Sequence, residues 1–188
     1  MLAAGYKPSG DWRGSKATIF EGGHRVPFLV RWPGKVKAGT TSDVTICTTD
    51  FFATFADILA ALKSIPVNAA EDSFSFLSSL QGEKRAVRPF TIHHSIGGTF
   101  AIRKGGWKLI LSKSAGGGWS KTSGATGKIV QLYNLADDHA ETKNLEDRHP
   151  EKIKELVTDL AQAFRNGRTT RGPVQSNEGW PFLDKKMM

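Results

Sequence analysis

The chain reads as an α/β protein whose later part is α+β, on three patterns. A short run apolar on both faces, Phe28-Leu29-Val30, lies between Pro27 and Pro33, as strands do inside a largely parallel sheet covered by helices. Two strand-like runs, Phe100 to Lys104 and Trp107 to Leu111, flank Gly105-Gly106, a two-residue hairpin signal. Ile153, Leu156, Val157, Leu160, Ala161 and Phe164 then form one stripe at helical spacing, so a helix should close onto those strands.

Taken in order, Tyr6 to Gly14 is glycine, proline and polar, and predicts an exposed loop. Gly34 to Ser42 is a polar turn region. Phe51, Phe55, Ile58, Leu59 and Leu62 fall on one helical stripe, predicting a helix from Asp50 to Lys63 with that stripe buried. Thr49 is its expected N-cap, and Asp50 places negative charge in the first turn. Connectors follow at Ser64 to Asp72 and Gly82 to Pro89, with a short helix at Phe74 to Leu80 between them. Phe90 to His94 has strand propensity.

Beyond the hairpin, Ser112 to Lys128 is rich in glycine and serine around Trp119; a loop that long in a compact domain is functional or mobile. Ile129 to Leu135 should return as a strand. Pro150 suits a first helical position, Glu151 suits the helix dipole, and Gly167 stops the run. The chain thus divides into residues 1–87, a small antiparallel-sheet and helix portion at 88–166, and a polar tail at 167–188.

Charge and cysteine content narrow the function. The 26 basic and 18 acidic residues of 188 give +8, which favours anionic partners. No arginine-rich block, zinc pattern or aromatic RNA-binding motif accompanies that charge, so nucleic acid is not the expected partner. Cys47 is the single cysteine, so an internal disulfide is excluded and a buried structural thiol is expected. No run is apolar and long enough to cross a membrane. The first residues lack the pattern of a signal peptide, which leaves the compartment open.

The chemistry-bearing residues come early. Arg13-Gly14-Ser15-Lys16 puts a lysine on a small-residue turn, followed by Glu21-Gly22-Gly23-His24-Arg25-Val26-Pro27 and Arg31-Trp32-Pro33-Gly34. Further on come Thr49-Asp50 with Thr54, Phe100-Ala101-Ile102-Arg103 with Trp107-Lys108-Leu109-Ile110, and Leu132-Tyr133-Asn134-Leu135. Asp137, Asp138, Glu141, Asn144-Leu145 and His149-Pro150-Glu151 complete the series. In this order, from about Gly5 to Phe164, the chain resembles the C-terminal part of a type I (arylsulfatase-like) sulfatase of the alkaline-phosphatase-like superfamily. The resemblance implies that residues 1–87 are the end of the catalytic domain, with a remnant of its main sheet.

The resemblance also implies roles. Lys16 becomes the lysine that holds the sulfate group and the leaving oxygen, a task suited to a compact cation with three donors. Arg13, Glu21 and Arg25 become scaffold, with Glu21 and Arg25 paired. His93 and His94 are neighbours in a strand and point to opposite faces, so one ring should pack and the other be solvated. By the resemblance both belong to the substrate pocket, with His94 donating to sulfate or leaving group and Ser95 shaping the rim with Gly97-Gly98. Trp119 either stacks on a sugar or aryl ring or anchors its loop.

The family pattern is incomplete in this sequence. Cys47 lacks the proline and arginine of the Cys-x-Pro-x-Arg or Ser-x-Pro-x-Arg signal that becomes formylglycine. The Asp-Asp and Asp-Asn or Asp-Gln metal pairs would precede Lys16, yet Asp11 is the sole carboxylate before it. Asp137, Asp138 and Glu141 lack the gathered spacing of a calcium site. The expectation is a fragment of a sulfate monoester hydrolase, without metal or turnover by itself. Formylglycine and Ca2+ would come from a missing N-terminal half, and the ligand would be a sulfated small molecule or glycan. Two alternatives stay open: a non-catalytic anionic-glycan module on the same scaffold, and a phosphate or phosphonate ester hydrolase.

Overall fold

The computed structural model describes residues 5, 7–117 and 128–176. The chain forms two compact units, one of residues 1–28 and 90–157, the other of residues 29–89 and 158–188. Helices α1 (Glu21–His24), α2 (Asp50–Ile58), α3 (Leu77–Leu80) and α4 (Pro150–Asn166) accompany strands β1 (Thr91–His94), β2 (Phe100–Lys104), β3 (Trp107–Leu111) and β4 (Val130–Asn134). The hairpin, the two outer strands and the last helix therefore stand where the sequence places them.

In the first unit the strands form one antiparallel sheet in the order β1-β2-β3-β4. The register aligns Ile92, Ile102, Leu109 and Leu132 in one row, and His93, Ala101, Ile110 and Gln131 in the next. Because side chains alternate, these rows belong to opposite faces. Ile102, Leu109 and Leu132 are fully buried on one face. Beside them the start of α4 is fixed by Lys104 to Glu155 at 2.8 Å and by the His149 ring on Trp107, centroids 4.8 Å apart. On the other face Ala101, Ile110 and Tyr133 form a core with Ile19, Phe20, Ala115 and Leu135.

The free margin of β4 is occupied by a side chain. Asn144 accepts the Leu132 N–H through Oδ1 at 2.9 Å and donates from Nδ2 to the Val130 carbonyl at 3.1 Å. The Leu145 N–H reaches the Leu132 carbonyl at 2.8 Å. One carboxamide thus reproduces what a neighbouring strand would offer.

The second unit is organised around Asp50, which is fully buried. Its carboxylate accepts the Cys47 N–H at 2.8 Å and the Phe74 N–H at 2.9 Å, and pairs with Arg88. Thr54 accepts the Phe76 N–H at 3.1 Å, and Ser73 accepts the Ala53 N–H at 2.8 Å. Cys47 is half-buried and takes a hydrogen bond from Arg88 at 3.1 Å.

Several expectations are corrected here. The helix expected to reach Lys63 ends at Ile58, and a 3-10 turn follows at Leu62–Ser64. The cause is Ala60, at φ +55°, with Ala61 N–H to the Ala56 carbonyl (2.7 Å) and Ala60 N–H to the Asp57 carbonyl (3.0 Å). That pair of bonds is a Schellman terminator with alanine where glycine is usual. Thr49 makes no side-chain cap; the Asp50 carboxylate bonds the neighbouring amides instead.

The inward face of α2 is Asp50, Ala53 and Thr54, while Phe55 is 59% and Leu59 75% exposed. The apolar stripe read as core is therefore solvent-facing, because polar residues on the other face bind the 73–76 segment. Phe28 to Val30, read as a strand, pairs with no strand among the described residues and is exposed. A run apolar on both faces needs neighbours on both sides, and none is present among those residues. The helix read at Phe74 to Leu80 shortens to its last turn.

Candidate functional site

The site is assembled on the sheet face that carries His93, Lys108 and Tyr133. Residues 13–25 lie over that face, and buried charge ties them down. The Lys108 ammonium is 0% exposed, donates to the Ile19 carbonyl (2.9 Å) and Glu21 Oε1 (3.0 Å), and forms an ion pair with Glu141 Oε1 at 2.8 Å. Glu21 Oε2 takes Arg25 Nε at 2.8 Å and Arg103 Nη1 at 3.3 Å. Glu141 Oε2 accepts the Glu21 N–H at 2.7 Å. Arg13 places its guanidinium 3.8 Å over the Phe20 ring and donates to Tyr133 Oη (3.0 Å) and the Glu141 carbonyl (2.7 Å).

These charges set each other's ionisation. Burial alone would raise the Glu21 carboxyl, but Lys108, then Arg103 and Arg25, bring it down to about 2. Glu141 is raised instead, since burial and the Glu21 carboxylate outweigh its contact with Lys108. A buried pair of this kind is worth little against an apolar equivalent, but losing one partner is costly. Gly22 and Gly23 are required by closeness: a Cβ on Gly22 would lie 2.7 Å from the Arg13 and Gly14 carbonyls.

Above this base Ser15 to Thr18 forms a tight turn. The Thr18 N–H bonds the Ser15 carbonyl at 3.0 Å, and Thr18 Oγ1 donates to the same carbonyl at 2.8 Å. Ala17 has φ +80°, the value of the third residue in a type II turn, where glycine is favoured. A left-handed alanine costs about 1–2 kcal/mol, and that strain sits immediately after Lys16. Lys16 is exposed and makes no hydrogen bond or ion pair with a described residue.

Two further loops are stitched to this turn. Ile96 N–H bonds the Ala17 carbonyl at 3.0 Å, and Ile19 N–H bonds the Ala115 carbonyl at 2.9 Å. Gly97 N–H and Ser95 Oγ–H both donate to the Gly116 carbonyl, at 2.8 and 2.6 Å. Ser95 Oγ also accepts the Thr99 N–H at 3.1 Å, so this buried hydroxyl is committed to the loop. Lys16 on one segment and His94 and Ser95 on a second are therefore tied, with the Ala115–Gly116 segment, by hydrogen bonds.

The two adjacent histidines differ. His94 is exposed, with Nδ1 2.9 Å from the Ser95 carbonyl. A carbonyl can only accept, so Nδ1 carries the proton. His93 faces the other way and packs on His24, ring centroids 4.2 Å apart. Trp119 lies outside the described residues. Lys108, Glu141, Tyr133, Arg103 and His24 belong to the runs that carry the resemblance but were given no site role from sequence. Lys108 carried a usable signal: a lysine inside Trp107-Lys108-Leu109-Ile110-Leu111, a run apolar on both faces, must find a buried partner.

Residues 11–170 match the family model described as N-sulphoglucosamine sulphohydrolase, C-terminal. An N-acetylgalactosamine-6-O-sulfatase of Bacteroides thetaiotaomicron is 36% identical over 154 residues, covering 81% of this chain and 30% of the relative. Human arylsulfatase G is 29% identical over 169 residues, covering 81% and 31%. A solved 6S-sulfatase structure from work on metabolism of multiple glycosaminoglycans by Bacteroides thetaiotaomicron aligns with TM-score 0.74 and 34% identity, covering 86% of this chain and 33% of that one. The chain belongs to the N-sulphoglucosamine sulphohydrolase C-terminal family, and spans about a third of the length of the relatives it matches.

Proposed function

We propose that this chain is the C-terminal part of an enzyme hydrolysing sulfate monoesters of glycans, in which Lys16 holds the sulfate. One observation carries the reading: an exposed ammonium, without a partner among the described residues, on a strained turn whose Ala17 carbonyl is tied to the loop that follows His94. A lysine there offers three donors to sulfate oxygens and stabilises charge that develops on the leaving oxygen. Arg13, Glu21 and Arg25 keep the turn seated.

His94 completes the rim with Nε2. While neutral, that nitrogen accepts a sugar hydroxyl; it donates to a sulfate oxygen only as imidazolium. Ser95 shapes the rim through its loop bonds. The relative named as an N-acetylgalactosamine-6-O-sulfatase supports a 6-O-sulfated amino sugar as the first substrate to try.

Among the described residues no three histidine, cysteine, aspartate or glutamate side chains gather as a metal site. Cys47 is held by Arg88 and lacks the formylglycine signal. Calcium and formylglycine do not fit the residues described. On this reading they belong to a preceding sulfatase segment, and the chain alone turns over no sulfate ester. In the complete polypeptide, Lys16→Ala should lower kcat/KM for N-acetylgalactosamine 6-sulfate by about 10²–10³ with an unchanged melting temperature. Equal turnover by the variant ends the assignment.

A further inference from the structure

Glu141, on the segment after β4, is fully buried, and its backbone is left-handed at φ +53°. A residue other than glycine keeps that conformation only where its surroundings over-determine it. Here they do. The Asp138 carboxylate accepts the Thr142 and Lys143 N–H groups, both at 2.7 Å, and the Thr142 hydroxyl at 2.9 Å. The Glu141 N–H bonds the Asp138 carbonyl at 3.1 Å. On the other side Asn144 is fastened to the margin of β4. Glu141 is therefore presented from a bend held at both ends.

Its contacts lie at the base of the loop that carries Lys16. The Gly22 N–H bonds the Arg13 carbonyl at 2.8 Å, so the two arms of residues 13–22 meet, as the ends of an Ω-loop do. Glu141 reaches both arms beside that closure. Its main-chain carbonyl accepts Arg13 Nη1 at 2.7 Å, and its Oε2 accepts the Glu21 N–H at 2.7 Å. Tyr133 Oη adds a second acceptor for Arg13 at 3.0 Å. Glu141 Oε1 lies 2.8 Å from the Lys108 ammonium, which donates to the Ile19 carbonyl on the outgoing arm at 2.9 Å.

We propose that Glu141 is a positioning residue for Lys16, clasping the incoming arm of the 13–22 loop with its backbone carbonyl and the outgoing arm with its carboxylate. Lys16 is exposed and bonded to no described residue, so the backbone of the loop decides where the ammonium stands. The bonds from Ile96 to Ala17 and from Ile19 to Ala115 fasten the loop to its neighbours. Glu141 sets the spacing of its arms. What matters for this role is reach to the Glu21 amide, in addition to charge near Lys108.

The proposal rests on the sulfate-holding reading of Lys16, and a double-mutant cycle separates the two. Glu141→Gln keeps the reach and loses the charge; Glu141→Asp keeps the charge and falls one methylene short. Each is made in the complete polypeptide, with and without Lys16→Ala. Turnover of N-acetylgalactosamine 6-sulfate is measured well below each melting temperature. Hydrogen exchange at the Glu21 and Gly22 amides is compared with that at the Ala53 amide, which Ser73 holds in the other unit.

Glu141→Asp should lower kcat about tenfold or more, because a misplacement near 1 Å is enough for that. It should also speed exchange at Glu21 and Gly22 and leave Ala53 unchanged. Glu141→Gln should stay within about threefold of the parent. In the Lys16→Ala background Glu141→Asp should change kcat by less than about twofold, since no ammonium remains to be aimed. A glutamine variant no better than the aspartate one, amides that stay protected with aspartate, or an undiminished effect without Lys16 overturns the positioning role. Full turnover by Lys16→Ala overturns the underlying reading, whatever the amides do.

Discussion

Ala17 is the residue on which the chemistry of the turn can be weighed against its stability. A glycine at φ +80° would be unstrained, so Ala17→Gly should raise stability by up to about 1 kcal/mol, offset in part by the freer unfolded chain. If the strain helps to aim Lys16, the same variant should lose kcat in the complete polypeptide. Thermal melts and kinetics on one sample would separate the effects, and a gain in both would remove any functional role for the strain. Lys16 and the glycine corner were singled out only through the family resemblance, since a lysine among small residues is by itself an ordinary exposed side chain. The pairing of His93 with His24 was not legible, since 69 positions separate them and only the register of β1 brings them together.

At the scale of elements, β3 is the member that fixes the site. Lys108 gathers two carboxylates and the Ile19 carbonyl, binding two separate pieces of chain, residues 19–21 and Glu141, to the middle of the sheet. Lys108→Met should cost about 3–5 kcal/mol, because it leaves Glu21 and Glu141 buried without their shared cation. Denaturant titration would measure it, and a loss below about 1 kcal/mol would mean that water or Arg103 takes the role. The stability due to Glu21 is present above about pH 4.5 and is lost as pH falls towards 2, since its folded value lies below the ordinary one. The hairpin and α4 were readable because local turn chemistry and helical periodicity decide them. The α2 stripe misled because periodicity tells which residues share a face, not whether that face is covered. Here Asp50, Ser73 and Arg88 decide which face turns inward, through bonds that no local pattern announces.

At the scale of the whole molecule, the exposed apolar residues of α2 agree with a chain that spans about a third of its relatives. Phe52, Phe55, Leu59 and Leu62 present a surface that soluble proteins seldom leave bare. We expect the chain by itself to associate in solution, and Phe55→Ser with Leu59→Lys to restore a monomer without lowering the melting temperature. Light scattering and calorimetry would show it; a monomeric parent chain would overturn the expected association.

The carboxamide of Asn144 has a consequence for how such association could proceed. By occupying the outer margin of the last strand, it denies an incoming chain the row of free amides from which cross-β stacking grows. Clumping should therefore be greasy and reversible, dissolved by mild detergent, with no fibrils seeded from that side.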